Sequence, residues 1–230
     1  MAGIFKSSIG KKLIMSISGL FLILFLTFHM VMNLTYVFDP DSVVYGTICE
    51  ILSMGWVNVV VPILAFGFLI HIIYAFILTL SNRKARGDVR YAVPNQAKTD
   101  SWSARNMFIL GLIVLLCIIL HLTDFWAKMQ LQNWLGNGEA DPYELMEVTF
   151  GRWWILCLYL VWFVALWFHL THGFWSAFQT IGWNNQIWLK RLKVISDVYV
   201  TLLMGGFAVV ALFAFCKANG LFGLTPYLAL

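Results

Sequence analysis

The sequence predicts an all-α integral membrane protein, a bundle of five transmembrane helices. Three observations predict it. Of 230 residues, 61% are hydrophobic and only 11% are charged, against about 45–50% and about 25% in soluble domains. The apolar residues gather into five long charge-free windows. Those windows run without strand-like alternation, which favours helices over a membrane barrel. The same composition excludes a water-soluble globule, a disordered chain and a nucleic-acid binder.

A spanning helix needs roughly 20 apolar residues, because the hydrocarbon core is about 30 Å thick and each residue rises about 1.5 Å. The first window, Leu13–Val37, follows Lys6, Lys11 and Lys12 like the basic start of a signal peptide. It is too long for such a segment and lacks a small-residue cleavage site, so it reads as a retained helix. The second, Ile51–Leu80, holds a helix over about 57–80, with Pro62 expected to kink its outer end. The third and shortest, Asn106–Thr123, predicts a helix over about 106–125. The fourth, Trp153–Leu189, is long enough that its Gln179–Gln186 end must leave the bilayer, giving a helix over about 153–178. The fifth is Val198–Cys216. The connections Ser81–Arg105 and Asp124–Arg152 are too short to fold alone, so residues 1–230 read as one domain.

Charge predicts orientation. Twelve of the 15 cationic residues fall before the first helix (Lys6, Lys11, Lys12), between the second and third (Arg83, Lys84, Arg86, Arg90, Lys98, Arg105), and between the fourth and fifth (Lys190, Arg191, Lys193). Eight of the eleven acids, including Asp39, Asp41, Glu139, Asp141, Glu144 and Glu147, fall on the other side. The positive-inside rule places the N-terminus in the cytoplasm and the C-terminus outside. The four cysteines (Cys49, Cys117, Cys157, Cys216) form no C-x-x-C, so a zinc ribbon, a covalent c-type haem and a disulfide framework lack support.

All five histidines lie in predicted helices: His29, His71, His121, and His169 with His172. A single intramembrane histidine can be a neutral imidazole hydrogen-bonded across a bundle; the set asks for more. His29 stands 17 residues past Lys12, about 25 Å up the first helix, and His121 stands 16 past Arg105, about 24 Å up the third. On descending helices, His71 stands 15 residues past Trp56, about 22 Å down, and His172 stands 20 past Arg152, about 30 Å down. Two histidines therefore share an outer level and two an inner one. Facing imidazoles at one depth suit the axial positions of a haem b iron, and two levels imply two haems with irons roughly 10–20 Å apart vertically. Other metal sites lack a companion acid or cysteine cluster at either level.

His169 and His172 share roughly one face. His172 is preferred as the inner ligand because Gly173 follows it and clears room for a porphyrin, as Gly67 does one turn before His71, leaving His169 to pack beside the haem. Haem propionates need cations or hydroxyls near the membrane surfaces, for which Arg152 serves the outer level and Ser16 and Ser18 the inner. A snorkelling arginine and back-bonded serines are the plainer alternatives.

Three runs carry a family resemblance: Lys11-Lys-Leu-Ile-Met-Ser-Ile-Ser-Gly19 with His29 beyond it, Ser101-Trp-Ser-Ala-Arg105, and His169-Leu-Thr-His-Gly-Phe-Trp-Ser-Ala-Phe-Gln179. With the helix number and histidine order, they resemble the single-chain, five-helix dihaem cytochrome b subunit of succinate dehydrogenase and fumarate reductase, in its bacterial, menaquinone-linked branch. The resemblance runs from about Lys6 to Cys216. It implies a membrane anchor in the bacterial inner membrane, bound on its cytoplasmic side to an iron–sulfur subunit and a flavoprotein subunit that hold the iron–sulfur clusters and FAD. Higher oligomers of that complex are compatible with it.

It also implies inner-haem ligation by His71 and His172, outer-haem ligation by His29 and His121, a propionate contact from Arg152, Ser16 near the inner haem, and a quinone site beside a haem. The basic segment Ser81–Arg105 would face the iron–sulfur subunit. Some fumarate reductases of this type carry a proton-conducting glutamate two residues before the fourth-helix ligand; Leu170 stands there in this chain and carries no proton. Glu50 is the candidate proton acceptor for an outer quinol, with an exposed loop glutamate as the alternative. Two other readings remain at this point: a haem-b anchor of a formate dehydrogenase or hydrogenase, and a haem-free transporter using the histidines as a proton relay.

Overall fold

The structure, a computed structural model, describes residues 7–38, 43–86, 101–183 and 185–226. Among them it contains helices and no strand. In chain order these are α1 (Ser8–Phe38), α2 (Val43–Ser53), α3 (Val57–Arg86), α4 (Trp102–His121), α5 (Gln130–Trp134), α6 (Pro142–Phe150), α7 (Trp153–Thr180) and α8 (Gln186–Ala218). A π-helical turn, Leu122–Trp126, extends α4. Five helices, α1, α3, α4 with its extension, α7 and α8, are long and apolar enough to cross a membrane.

Local chemistry fixes the ends of these helices. Ser7 caps α1 by accepting from Gly10 N at 3.0 Å, and Ser101 caps α4 by accepting from Ala104 N at 3.2 Å. Asp141 caps α6, accepting from the backbone of Tyr143 and Glu144 at 2.9 Å each, with Pro142 preset in the first turn. Asn185 caps α8 through Trp188 N at 2.8 Å. At the end of α7, Gly182 takes φ +114°, and Trp183 N reaches back to the Phe178 carbonyl at 3.0 Å, closing a Schellman turn that a side chain at Gly182 would strain.

Several boundaries differ from the expectations. The second spanning helix, α3, begins at Val57 as expected, after α2 ends at Ser53 and a tight turn in which Val57 N bonds the Met54 carbonyl at 3.0 Å, but it runs on to Arg86 and not to Leu80. α3 then continues helically through Pro62, where the ring forfeits a single backbone bond. α8 begins at Gln186, so Lys190, Arg191 and Lys193 are helical and not in a loop. A charge marks where apolar composition stops, whereas a helix runs on until its backbone bonds stop. The segment Asp124–Arg152 contains the end of the π turn, α5 and α6. Lys6, Asp39, Asp41, Arg90 and Lys98, used in the orientation argument, lie outside the described residues.

The chain divides into two compact units assembled from interleaved segments. The first comprises Met1–Leu26, Val59–Gly111 and Phe168–Val200. Within it, the Ser196 hydroxyl donates to the Thr171 carbonyl at 2.6 Å, both residues buried, tying α8 to α7. Phe76 meets Phe108 edge-on at 5.3 Å between α3 and α4, with the Arg83 guanidinium over the Phe108 ring at 5.5 Å.

The second unit comprises Thr27–Asn58, Leu112–Trp167 and Thr201–Leu230. There Phe163 of α7 stacks on Phe207 of α8 at 5.8 Å, and Trp167 Nε1 donates to Thr201 Oγ1 at 2.9 Å. Tyr36, Tyr45 and Tyr143 form a three-ring cluster with centroids 4.9–5.3 Å apart. The Lys217 ammonium lies over Tyr36 and Tyr143 at 5.4 and 5.0 Å, and 3.7 Å from the buried Glu147 carboxylate. Cys49, on α2, has its thiol pushed up to about 11 by burial, and burial raises the Tyr45 phenol further above its ordinary range. Both stay protonated near neutral pH, so Cys49 acts as a small packing residue and not a nucleophile.

Candidate functional site

Two pairs of histidines face each other, one pair in each unit. In the first unit, His71 of α3 and His169 of α7 stand with ring centroids 6.4 Å apart and planes at 68°. Gly19 of α1 and Gly111 of α4 close on these rings. A Cβ at Gly19 would lie 3.3 Å from His71 Cε1, and one at Gly111 would lie 3.6 Å from His169 Cε1. The Ser18 hydroxyl is 3.2 Å from His71 Nδ1. His169 Nδ1 is buried with no hydrogen-bond partner.

In the second unit, His29 of α1 and His121 of α4 stand 5.8 Å apart with planes at 84°. Their walls are aromatic. Phe207 lies 5.8 Å from His29, and Phe125, Trp162 and Tyr159 lie 5.2, 5.9 and 6.3 Å from His121. His121 Nδ1, Trp162 Nε1 and the Tyr159 hydroxyl are buried without hydrogen-bond partners. The π turn starts directly after His121; such turns are frequent at functional sites because they re-aim the helix face.

The expected haems can be tested against these residues. An imidazole–metal bond is about 2 Å, and the ring centre lies about 1 Å behind the nitrogen, so one iron held between two imidazoles sets the centroids roughly 6 Å apart. Both pairs meet that spacing. No group of three or more His, Cys, Asp and Glu side chains converges among the described residues, so the donor set is paired imidazoles, the set that axial haem ligation uses. The residues fit haem b.

The other candidates are dispersed. His172 does not face His71: its Nδ1 lies 3.5 Å from the Ser101 hydroxyl and its ring packs on Trp175 at 4.8 Å. Three residues turn a helix by about 300°, so His172 sits about 60° round from His169 and a turn further along. Gly67 packs against α1. A Cβ there would come 2.6 Å from Phe21 Cε1, so the gap is filled by the Phe21 ring. Gly173 has open space beside it. Ser16 is buried on α1, whereas Arg152 is exposed at the start of α7 with its guanidinium over the Trp154 ring at 5.3 Å. Glu50 is exposed on α2.

Gly19, Gly111, Tyr159, Trp162 and Phe207 complete the surroundings and were not singled out from the sequence. The glycines had a readable signal, since an isolated glycine inside an apolar helix marks a close approach. The aromatic residues had none, being lost among 19 phenylalanines and 11 tryptophans.

Comparisons of the chain with protein-family models, with curated proteins and with solved structures returned no match. The class that can be stated on the fold is therefore a multi-pass, all-helical membrane protein.

Proposed function

We propose that this chain is the dihaem cytochrome b anchor of a succinate dehydrogenase or fumarate reductase, passing electrons between an iron–sulfur partner and a membrane quinone, menaquinone by the resemblance. The observation that carries the reading is the double pairing: His29 with His121, and His71 with His169, each at a spacing that suits one iron between two imidazoles. The fourth-helix ligand in this reading is His169, the ring that faces His71, in place of His172. A haem b held at each pair would supply a one-electron redox centre.

The chain's own part is to fix the ligands and their surroundings. Gly19 and Gly111 let neighbouring helices approach the His71 and His169 rings. Phe207, Phe125, Tyr159 and Trp162 surround the His29–His121 pair with low-dielectric aromatic surface, which governs solvent access and potential. In the proposed assembly the five long helices form one bundle in a bacterial inner membrane, with the N-terminus cytoplasmic and the C-terminus outside. The basic segments Ser81–Arg105 and Lys190–Lys193 then meet the iron–sulfur subunit, and dicarboxylate chemistry belongs to the FAD-bearing partner.

The test is a reduced-minus-oxidised spectrum of the purified chain with a pyridine haemochrome count. Two b haems per chain are expected. One would mean that a pair is wrongly assigned, and none would overturn the electron-transfer reading in favour of a transporter. Co-purification with a flavin-bearing subunit separates the proposal from anchors of formate dehydrogenase or hydrogenase.

A further inference from the structure

We propose that Ser18 is a positioning residue for the His71–His169 pair: its hydroxyl accepts a hydrogen bond from the Nδ1–H of His71, leaving Nε2 as the ligating atom of that ring. The inference rests on the haem reading above and adds to it a cause for unequal potentials at the two pairs.

The geometry is specific. Ser18 is 8% exposed on α1, and its Oγ donates to the Met15 carbonyl at 3.1 Å in the preceding turn. A hydroxyl has one proton and two lone pairs. With that proton directed at Met15, the oxygen meets His71 Nδ1, 3.2 Å away, as an acceptor. An imidazole facing an acceptor at Nδ1 carries its proton there, and the neutral tautomer then has its lone pair on Nε2.

The next residue completes the cradle. Gly19 leaves a gap where any Cβ would press to 3.3 Å from His71 Cε1. Ser18 and Gly19 together supply an acceptor and clearance at the same Nδ1–Cε1 edge of the ring, which holds both the tautomer and the tilt of the imidazole. Across the pair, His169 Nδ1 has no hydrogen-bond partner, and neither has His121 Nδ1 in the other unit.

A hydrogen bond from the distal nitrogen of a ligating imidazole raises its basicity, which favours the ferric state of an iron bound to the other nitrogen. Ser18 therefore makes the His71–His169 centre more reducing than its histidines alone would. This is a different role from donating to a propionate, because the hydroxyl proton already belongs to Met15.

The test is a spectroscopic redox titration of the full haem-loaded chain, comparing wild type, Ser18→Ala and Ser18→Thr. The wave belonging to the His71–His169 centre is the one missing from His71→Ala. Alanine is the best helix former, so Ser18→Ala leaves α1 intact. In it, that wave is expected to move upward by about a tenfold change in ferric over ferrous preference, or about 59 mV for one electron. The other wave stays in place, and Ser18→Thr returns the first toward wild type. Selective loss of that haem in Ser18→Ala, restored in Ser18→Thr, supports the proposal equally. Two unmoved waves in a fully loaded Ser18→Ala, a downward shift, equal shifts of both waves, or no recovery in Ser18→Thr would overturn it while leaving the dihaem function standing. A wild type that binds no haem overturns both.

Discussion

The two histidine pairs are built from the same side chain at similar spacing, yet their surroundings differ in kind. His71 is held by polar and minimal neighbours, a serine hydroxyl at Nδ1 and a glycine against its edge, with a second glycine against His169. His121 sits among Phe125, Tyr159 and Trp162, with its Nδ1 unmatched by any protein group. The first arrangement controls a ring by hydrogen bonding and clearance, the second by enclosure. On the proposed haem reading, a shared ligand set would therefore not imply shared potentials, because ligand basicity and local dielectric are set by the groups one layer out.

The largest expected effects break the comparison outright. His71→Ala or His169→Ala should remove one of two haems and spare the other, while His29→Ala or His121→Ala should remove the complementary one. A pyridine haemochrome count with redox titration reads both. His172→Ala should keep two haems. Loss of a haem in His172→Ala, with retention in His169→Ala, would reverse the proposed ligand and restore His172.

The next effect falls on the second unit alone. Lys217 and Glu147 are a buried pair with side chains 10% and 2% exposed, and removing one partner strands a charge. Lys217→Met should lower stability by about 3–5 kcal/mol, seen as an earlier thermal transition in detergent, and Lys217→Met with Glu147→Leu should recover most of it. If the single variant melts with the wild type, the pair is not desolvated as drawn.

A smaller contrast compares helix contacts in the two units. A Cβ at Gly67 would meet the Phe21 ring at 2.6 Å, and one at Gly206 would meet Met30 Sδ at 2.5 Å. An aromatic ring must move as a plate, whereas a thioether swings aside about three rotatable bonds. Gly67→Ala should therefore destabilise by about 1–3 kcal/mol and Gly206→Ala by less than about 1.5 kcal/mol, with Phe21→Leu relieving the former. Equal melting shifts would contradict the difference. The smallest effect belongs to the α6 cap: Asp141→Ala should cost about 1 kcal/mol and Asp141→Asn a few tenths, measured the same way.

Much of this molecule was legible before any coordinates. Apolar composition is a sum over neighbouring residues, and a membrane requires backbone bonds to close within each segment, so the run from Leu13 to Val37 can be little other than a helix. The presence of histidines on four of the five spans is equally a property of the chain alone. What the sequence left open is rotational. His169 and His172 differ by about 60° around α7, and only the position of α3 decides which ring meets His71. Ser18 reads in the sequence as a hydroxyl near the inner level; only the placing of α1 against α3 sets it 3.2 Å from an imidazole nitrogen. Lys217 and Glu147, 70 residues apart, carried no mutual signal. Hydrophobicity and helix formation are local and additive, and the sequence by itself determined them. Which faces meet depends on how each helix turns to fill space against its neighbours, and only the tertiary structure decided that.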